Sequence, residues 1–504
     1  MAAASARQAG DVNRQIRQLA GGLMVCYVLL FVTLNYWQVG RQEELSAKLD
    51  NTRAIRREFD EPRGDVVSAD GVVVAQSVAN PPDSRFTYQR VYPTGDLFAH
   101  ISGYYTFAFG STQVERTQDD VLTGDTGEQQ LRNLPGIITG ADDSGSVHLT
   151  VRNDLQQAAK NALGEREGII VVLDPRTGAV PAMWSYPSYD PNLIANPVFD
   201  EAQAVITFYD AAPGDPLLAN AYQQRYMPGS TFKIMTTAIA LMNGTVSTAS
   251  VFPDETEFLP PQTDDPIENF EGTTCGGDLL EVFTRSCNIP FAKMALDLGV
   301  DRLPAGLNDW GLGEPVPIDL PRPAASTFGS TDNLAQQLPL LAIRGFGQND
   351  VQMVPLHMAM VAGAIANGGE MMTPYVVAET RANNGDLLER TAPEVWKTPV
   401  TPEVASTIAT LMQSVATDGT ASCCIALEGG VPVAAKTGTA QLNGPGQPER
   451  SHAWIVAYAP ANDPQYVVAV MIEGTNAEIS ASTGGRLAGP VAKTVLDAAL
   501  AGGR

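Results

Sequence analysis

Apolar positions recur along this chain in three rhythms, and each predicts a different kind of element. The first is a single unbroken run, Leu19 to Val39. At about 1.5 Å per helical residue, some 20 residues cross a hydrocarbon layer of about 30 Å. Arg7, Arg14 and Arg17 precede the run, and Glu43 and Glu44 follow it. That bias places the N-terminus in the cytoplasm and the remainder outside, with Tyr36 and Trp37 at the outer interface. The run is long, its far end is bulky and no A-x-A site follows. It therefore reads as an uncleaved anchor rather than a removed signal peptide. The second rhythm is short and β-rich. Val66-Val67 and Val72–Ala75 flank Asp70-Gly71, and Gly168–Asp174 and Ala179–Trp184 flank Pro175-Arg-Thr-Gly178. Both are hairpin signals. Val431–Ala435, Ala453–Tyr458 and Tyr466–Ile472 predict three more strands near the C-terminus.

The third rhythm is helical. Leu45–Arg57 predicts an exposed helix, and Asn153–Leu163 a short one with Asn153 or Asp154 as cap and Gly164 as stop. Ile234–Asn243 is apolar until Gly244, and Leu279–Leu298, Pro355–Asn367, Thr401–Ala416 and Leu487–Leu500 follow. Thr117–Ser146 and Pro253–Glu271 read as loops. Helices in the middle, with strands before and after them, predict an α+β fold: a central antiparallel sheet covered by helices. The divisions expected are a cytoplasmic tail 1–18, a transmembrane anchor 19–39, an extended β-rich unit 40–145 and a larger domain 146–504.

Composition narrows the chemistry. The 504 residues, 44% of them hydrophobic, suffice for two or three globular domains. A net charge of −24 argues against a nucleic-acid partner. There is no C-x-x-C pair, only four histidines and no phosphate-binding glycine loop. No metal or organic cofactor is therefore implied.

Three short motifs carry the chemistry. Ser230-Thr-Phe-Lys233 follows Pro228-Gly229 and opens the apolar stretch at Ile234. Positions i and i+3 share a helix face, so the Lys233 amine is expected to reach Ser230 Oγ. A buried lysine loses its proton more readily and can then activate a serine. Ser286-Cys287-Asn288 comes later, inside a predicted helix, and Lys436-Thr437-Gly438-Thr439 later still, after a predicted strand. Each motif alone is weak, and S-x-x-K by itself fits a helix cap beside a solvated lysine. The three in this order form the signature of serine acyltransferases that react with penicillin.

The resemblance extends well beyond the motifs. Arg63-Gly64, Arg90-Val-Tyr-Pro93 through Ala99-His100-Ile-Ser-Gly103-Tyr104, and Leu173-Asp-Pro-Arg-Thr-Gly178 through Tyr186-Pro-Ser-Tyr-Asp-Pro-Asn192 resemble class B penicillin-binding proteins, as do Gly347-Gln348, Pro355-Leu356 and Ala366-Asn-Gly-Gly369. Within that class the chain looks most like the actinobacterial penicillin-binding protein A branch. One departure is Gly64-Asp65-Val-Val-Ser-Ala-Asp-Gly71, where the family more often has an Arg-Asn-Gly turn. The resemblance implies that 40–145 is a pedestal, or dimerisation-type, domain and 146–504 a penicillin-binding transpeptidase domain. It implies a peptidoglycan D,D-transpeptidase that cross-links stem peptides, is inhibited covalently by β-lactams and works with a separate membrane glycosyltransferase.

In that reading Ser230 is the nucleophile, Lys233 its base, Ser286 a proton relay, and Asn288 a partner of Lys233 and of the substrate amide. Lys436, Thr437 and Thr439 would hold the terminal carboxylate. Gly438 would leave room for substrate along the strand. The backbone N–H groups of Ser230 and Thr439 would form the oxyanion hole. A D,D-carboxypeptidase or a β-lactamase would use the same acylation parts, although no E-x-x-x-N base for deacylation stands out. A non-catalytic scaffold would not need the intact set. Among the cysteines, Cys423 and Cys424 are neighbours and not expected to bond to each other. At least one is expected to bridge to Cys275 or Cys287, and a bridge at Cys287 would fix the second motif.

Overall fold

The computed structural model describes residues 18–33, 59–132, 143–443 and 450–502. It divides into two units, Met1–Glu61 and Pro62–Arg504. In the first, residues 18–33 are helical. Among the described residues no helix is long and apolar enough to cross a membrane. Residues 34–39 of the expected span and the expected helix Leu45–Arg57 lie outside the described residues.

Among the described residues the second unit holds two large sheets, of six and five strands, besides four two-stranded pairs. Strands β1 (Val66–Val67), β2 (Val73–Ala79), β3 (Tyr88–Val91) and β4 (Ser146–Leu149) precede helix α1 (Asn153–Leu163). Strands β5 (Gly168–Leu173) and β6 (Ala182–Tyr186) follow. Helix α2 (Lys233–Met242), strands β7 (Val251–Glu255) and β8 (Cys275–Asp278), and helices α3 (Leu279–Thr284), α4 (Ile289–Asp309) and α5 (Pro355–Ala366) make the middle. Then come β9 (Val377–Arg381), β10 (Leu387–Arg390), α6 (Pro402–Thr417), β11 (Ala434–Gln441), β12 (Ser451–Ala459), β13 (Tyr466–Ile472) and α7 (Gly489–Gly502).

The first sheet has the order β10-β9-β4-β1-β2-β3. The β1–β2 hairpin forms as its sequence predicts, with Val66 opposite Ala75. On its other edge β1 runs parallel to β4, and β4 pairs antiparallel with β9. The sheet thus draws strands from both sides of residue 145. Asp70, in the hairpin turn, caps α1: its carboxylate accepts from the backbone N–H groups of Asn153 at 2.8 Å and Asp154 at 3.1 Å. The expected cap from Asn153 or Asp154 itself is replaced by this donated one, while Gly164 ends the helix at φ +64°. Beneath the sheet lies a buried charge cluster. Glu115 accepts from Arg63 Nε and Arg90 Nε, each at 2.6 Å. Burying three charges is tolerable only when they are paired this closely. The neighbouring Gly64 admits no side chain, because a Cβ would lie 1.7 Å from Gly145 O.

Thr117–Ser146, read as loop, contains helices Asp119–Thr123 and Gly127–Arg132, just after Gln113–Thr117. Helices this short hold too few apolar positions for a 3.6-residue period to register.

The second sheet is fully antiparallel, in the order β11-β12-β13-β5-β6. Every residue of β5 and β12 is buried, so both faces are covered. Helices α1 and α7 pack on each other and on this sheet, as does α5, with α6 packed against α5. Helix α2 is buried from Lys233 to Ala240, as its apolar sequence requires. Strand β11 starts two residues after Pro432, which lacks the N–H that a ladder would need, so it runs later than the expected Val431–Ala435 and takes in the third motif.

Candidate active site

Ser230 sits where three backbone segments converge. Gly229 has φ +54°, and a Cβ there would come 2.5 Å from Thr439 O. Its N–H donates to Gly347 O at 2.9 Å. Gly347 is glycine for the same reason, since its Cβ would strike Gly229 O at 2.2 Å. Ser230 occupies a 3₁₀ turn, Gly229–Phe232, and the α-helix begins only at Lys233. The serine thus stands one turn ahead of the expected first helical turn, half-buried, with its N–H among those that no helical carbonyl can reach.

Lys233 is wholly buried. Its Nζ donates to Ser286 O and Cys287 O, both at 2.7 Å, to Asn288 Oδ1 at 2.9 Å and more weakly to Ser286 Oγ at 3.4 Å. The expected contact with Ser230 is absent: among the described residues no hydrogen bond joins the two. Burial, followed by the cation of Lys436, pushes the Lys233 pKa well below its ordinary value. Lys436, also buried, is pushed down to about 7 by desolvation. Its Nζ lies 2.7 Å from Ser286 Oγ and 3.0 Å from Thr437 O. Ser286 Oγ therefore faces both amines. With its lone pairs so engaged, its own O–H is free to donate into the site.

The second motif is not helical as expected. Helix α3 ends at Thr284 and α4 begins at Ile289. Between them Ser286 adopts φ +60°. Ser286 N–H bonds to Phe283 O and Cys287 N–H to Val282 O, at 3.1 and 3.0 Å. This is the double bond of a Schellman helix end, whose left-handed position is usually glycine. A serine there pays a steric penalty to set its hydroxyl between two lysines. Cys287, the next residue, bridges to Cys275 across a Cα–Cα distance of 5.8 Å. The pairing expected between the distant cysteines is overturned. Cys423 and Cys424 join each other, in the turn after α6, while the α3 reversal returns Cys287 to Cys275 on β8. The anticipated tether on the second motif exists, with a local partner.

Lys436, Thr437, Gly438 and Thr439 lie on β11, which among the described residues is an edge strand paired with β12, where Gly438 stands opposite Trp454. The space beside Gly438 is filled by the serine turn, since a Cβ would come 2.6 Å from Pro228 O. Thr437 Oγ1 pairs with Thr420 Oγ1 at 2.5 Å, and Thr439 Oγ1 accepts from Gly484 N–H at 3.4 Å. Gly347, which the resemblance had singled out, and Thr420 and Gly484, which went unnoticed in the sequence, complete the walls. Isolated glycines and threonines carry no spacing signal. Among the described residues no group of three His, Cys, Asp or Glu side chains is placed to hold a metal ion.

Residues 168–497 match the family model of the penicillin binding protein transpeptidase domain, and residues 63–147 that of the penicillin binding protein A dimerisation domain. The chain belongs to the penicillin-binding proteins. This penicillin-binding protein is 37% identical over 500 residues to the peptidoglycan D,D-transpeptidase PbpA of Mycolicibacterium smegmatis, covering 97% of this chain and 99% of that one. It is 36% identical to PbpA of Mycobacterium tuberculosis, covering 97% and 100%. Penicillin-binding protein A from M. tuberculosis, solved as a ceftriaxone acyl-enzyme complex, superposes with a TM-score of 0.81 at 33% identity, covering 88% of this chain and 99% of that one. Its penicillin G acyl-enzyme complex does so with a TM-score of 0.79, covering 87% and 100%.

Proposed function

We propose that this penicillin-binding protein is a peptidoglycan D,D-transpeptidase that cross-links stem peptides through a serine acyl-enzyme. The observation that carries the reading is the continuous chain Lys233–Ser286–Lys436, with Ser230 in the turn that leads directly into Lys233. Ser230 Oγ attacks the carbonyl carbon between the two terminal D-alanines. The C–N bond breaks, and the last D-alanine leaves with a proton on its amine. Lys233, its pKa lowered by burial, takes the proton from Ser230. Ser286 passes a proton to the leaving amine, and Asn288 holds Lys233 in line. The N–H groups of Ser230 and Thr439 face the oxyanion. Lys436, Thr437 and Thr439 bind the terminal carboxylate at β11, while Gly438 makes room for the serine turn rather than for substrate. An amine from a second stem then attacks the acyl carbon and restores Ser230. A β-lactam enters by the same first step and stays.

The apolar run 19–39 anchors the chain once in the cell membrane, with tail 1–18 in the cytoplasm and pedestal 40–145 and transpeptidase domain 146–504 outside. The charge bias about the run supports this orientation. Glycan strands must come from elsewhere, so a membrane glycosyltransferase is the partner. Gly21-Gly22, Thr33 and Asn35 suit helix packing in lipid. The catalytic reading is tested with Ser230→Ala. The variant should lose all covalent labelling by a fluorescent penicillin while remaining folded. Labelling at the wild-type rate would overturn the assignment.

A further inference from the structure

An asparagine at a helix N-cap normally turns its side chain back onto its own helix, accepting from the N–H two or three residues on. Asn288 occupies that position at the start of α4 and makes no such bond. Its Oδ1 accepts from Lys233 instead, at 2.9 Å, and its Nδ2 donates to Glu268 O at 3.1 Å. The N–H groups that open the helix are met from outside. Asn269, 3% exposed, directs its Oδ1 at the N–H groups of Asn288 and Ile289, 2.8 and 3.2 Å away. Its Nδ2 is fixed in turn by Glu255 O at 2.8 Å and Thr273 O at 3.1 Å. Every hydrogen-bonding position of the Asn269 amide is thus used, and its orientation is set by the two carbonyls it must face.

The same segment supplies Glu268 O, the acceptor that decides which way round the Asn288 amide lies. Because a carbonyl faces Nδ2, it is Oδ1 that meets Lys233. Two adjacent residues, 268 and 269, therefore hold both the backbone and the side chain of Asn288. Neither was singled out in the sequence, where they fall in a stretch rich in Pro and Asp.

We infer that Asn269 is a positioning residue for acylation: by accepting from the N–H groups of Asn288 and Ile289, it fixes the backbone from which the Asn288 side chain reaches Lys233. This rests on the catalytic reading given above. Removing the Asn269 amide leaves the N–H groups of Asn288 and Ile289 without that acceptor, and the start of α4 is free to shift with Asn288 on it. Lys233 then loses a partner and its place.

The test is a double-mutant cycle on the full-length chain in detergent micelles, with the second-order rate of acylation by fluorescent penicillin as the readout and thermal stability measured in parallel. Misplacement of a catalytic group costs about 10²-fold, so Asn269→Ala should slow acylation by about that factor. In an Asn288→Ala background the same change should cost less than about threefold, because residues acting through one another are not additive. Its effect on stability should be similar in both backgrounds. Should Asn269→Ala fail to fold, Asn269→Ser, with a smaller cap acceptor, carries the same cycle. Equal, additive losses of rate in both backgrounds would make Asn269 a purely structural cap and overturn the inference while leaving the catalytic reading intact. An Asn288→Ala variant that acylates like wild type would instead remove the role of Asn288, and the inference with it.

Discussion

Replacing Lys436 by methionine tests whether one buried cation tunes the other. Both amines contact Ser286 Oγ, at 2.7 and 3.4 Å, so the two nitrogens are no more than about 6.1 Å apart. At an effective dielectric constant of about 20, two unit charges at that separation repel by about 2.7 kcal/mol. That repulsion disfavours a second charge beside the first, so Lys436, when charged, lowers the Lys233 pKa further than burial alone does. Removing a positive neighbour favours protonation of Lys233, and its pKa must rise. The assay is the pH dependence of the second-order acylation rate, which reports groups of the free enzyme. In the wild type the acid limb belongs to Lys233 and the alkaline limb, near the Lys436 value of about 7, to loss of the carboxylate-binding cation. Lys436→Met should move the acid limb upward and abolish the alkaline limb. An acid limb that stays in place, or moves downward, would refute the coupling and with it Lys233 as the base.

Three further outcomes follow from the geometry. Ser286→Ala and Ser286→Gly should both slow acylation by about 10²–10⁴-fold; the glycine variant should be the more stable of the two by about 1–2 kcal/mol, since φ +60° penalises a Cβ, and equal denaturation midpoints would count against backbone strain at this turn. Gly484→Ala places a Cβ 2.2 Å from Trp454 O and 2.3 Å from Gly438 O, so penicillin labelling should fall by about tenfold or more as β11 is displaced; normal labelling would show that the strand can give way. His100 and His357 are held at about 4 by burial, below the unfolded value of about 6.5, so the unfolded chain takes up protons first. Their stability contribution is whole above about pH 6.5 and falls by about 3 kcal/mol each as pH drops toward 4; urea midpoints that fall no less steeply with acid in His357→Gln than in wild type would refute it for that residue.

What the sequence disclosed was whatever carries a period or a spacing. The Gly168 and Ala179 hairpin, the helix at Asn153–Leu163 and the strand Tyr466–Ile472 follow from apolar rhythm. Ser230, Lys233, Ser286, Asn288 and Lys436 follow from motif order, and hydrogen bonds join the side chains of Lys233, Ser286, Asn288 and Lys436, with Ser230 in the turn just before Lys233. Contacts made between segments stayed hidden. Nothing local says that Asp70 caps a helix at residue 153, that Asn269 caps one at residue 289, or that Lys233 turns toward Ser286 rather than Ser230. The φ of Ser286 was hidden too, because helix ends of this type advertise themselves by glycine and here a serine stands in its place. The cysteines misled because neighbouring residues were judged by strain, whereas the turn holding Cys423 and Cys424 accommodates their bond.

The first sheet also dictates an order of assembly. Strand β4 lies between β1, some 80 residues earlier in the chain, and β9, some 230 residues later. As the chain is delivered from its N-terminus, β1 to β4 can come together early, but the outer edge of β4 stays open until most of the catalytic region has been made. An open edge invites pairing with other chains, and closing loops of this length is slow. The cell must therefore shelter a half-built sheet for much of the time it takes to complete the chain. For the same reason, a fragment cut at residue 146 would not be a smaller enzyme but one with a bare strand where β1 belongs.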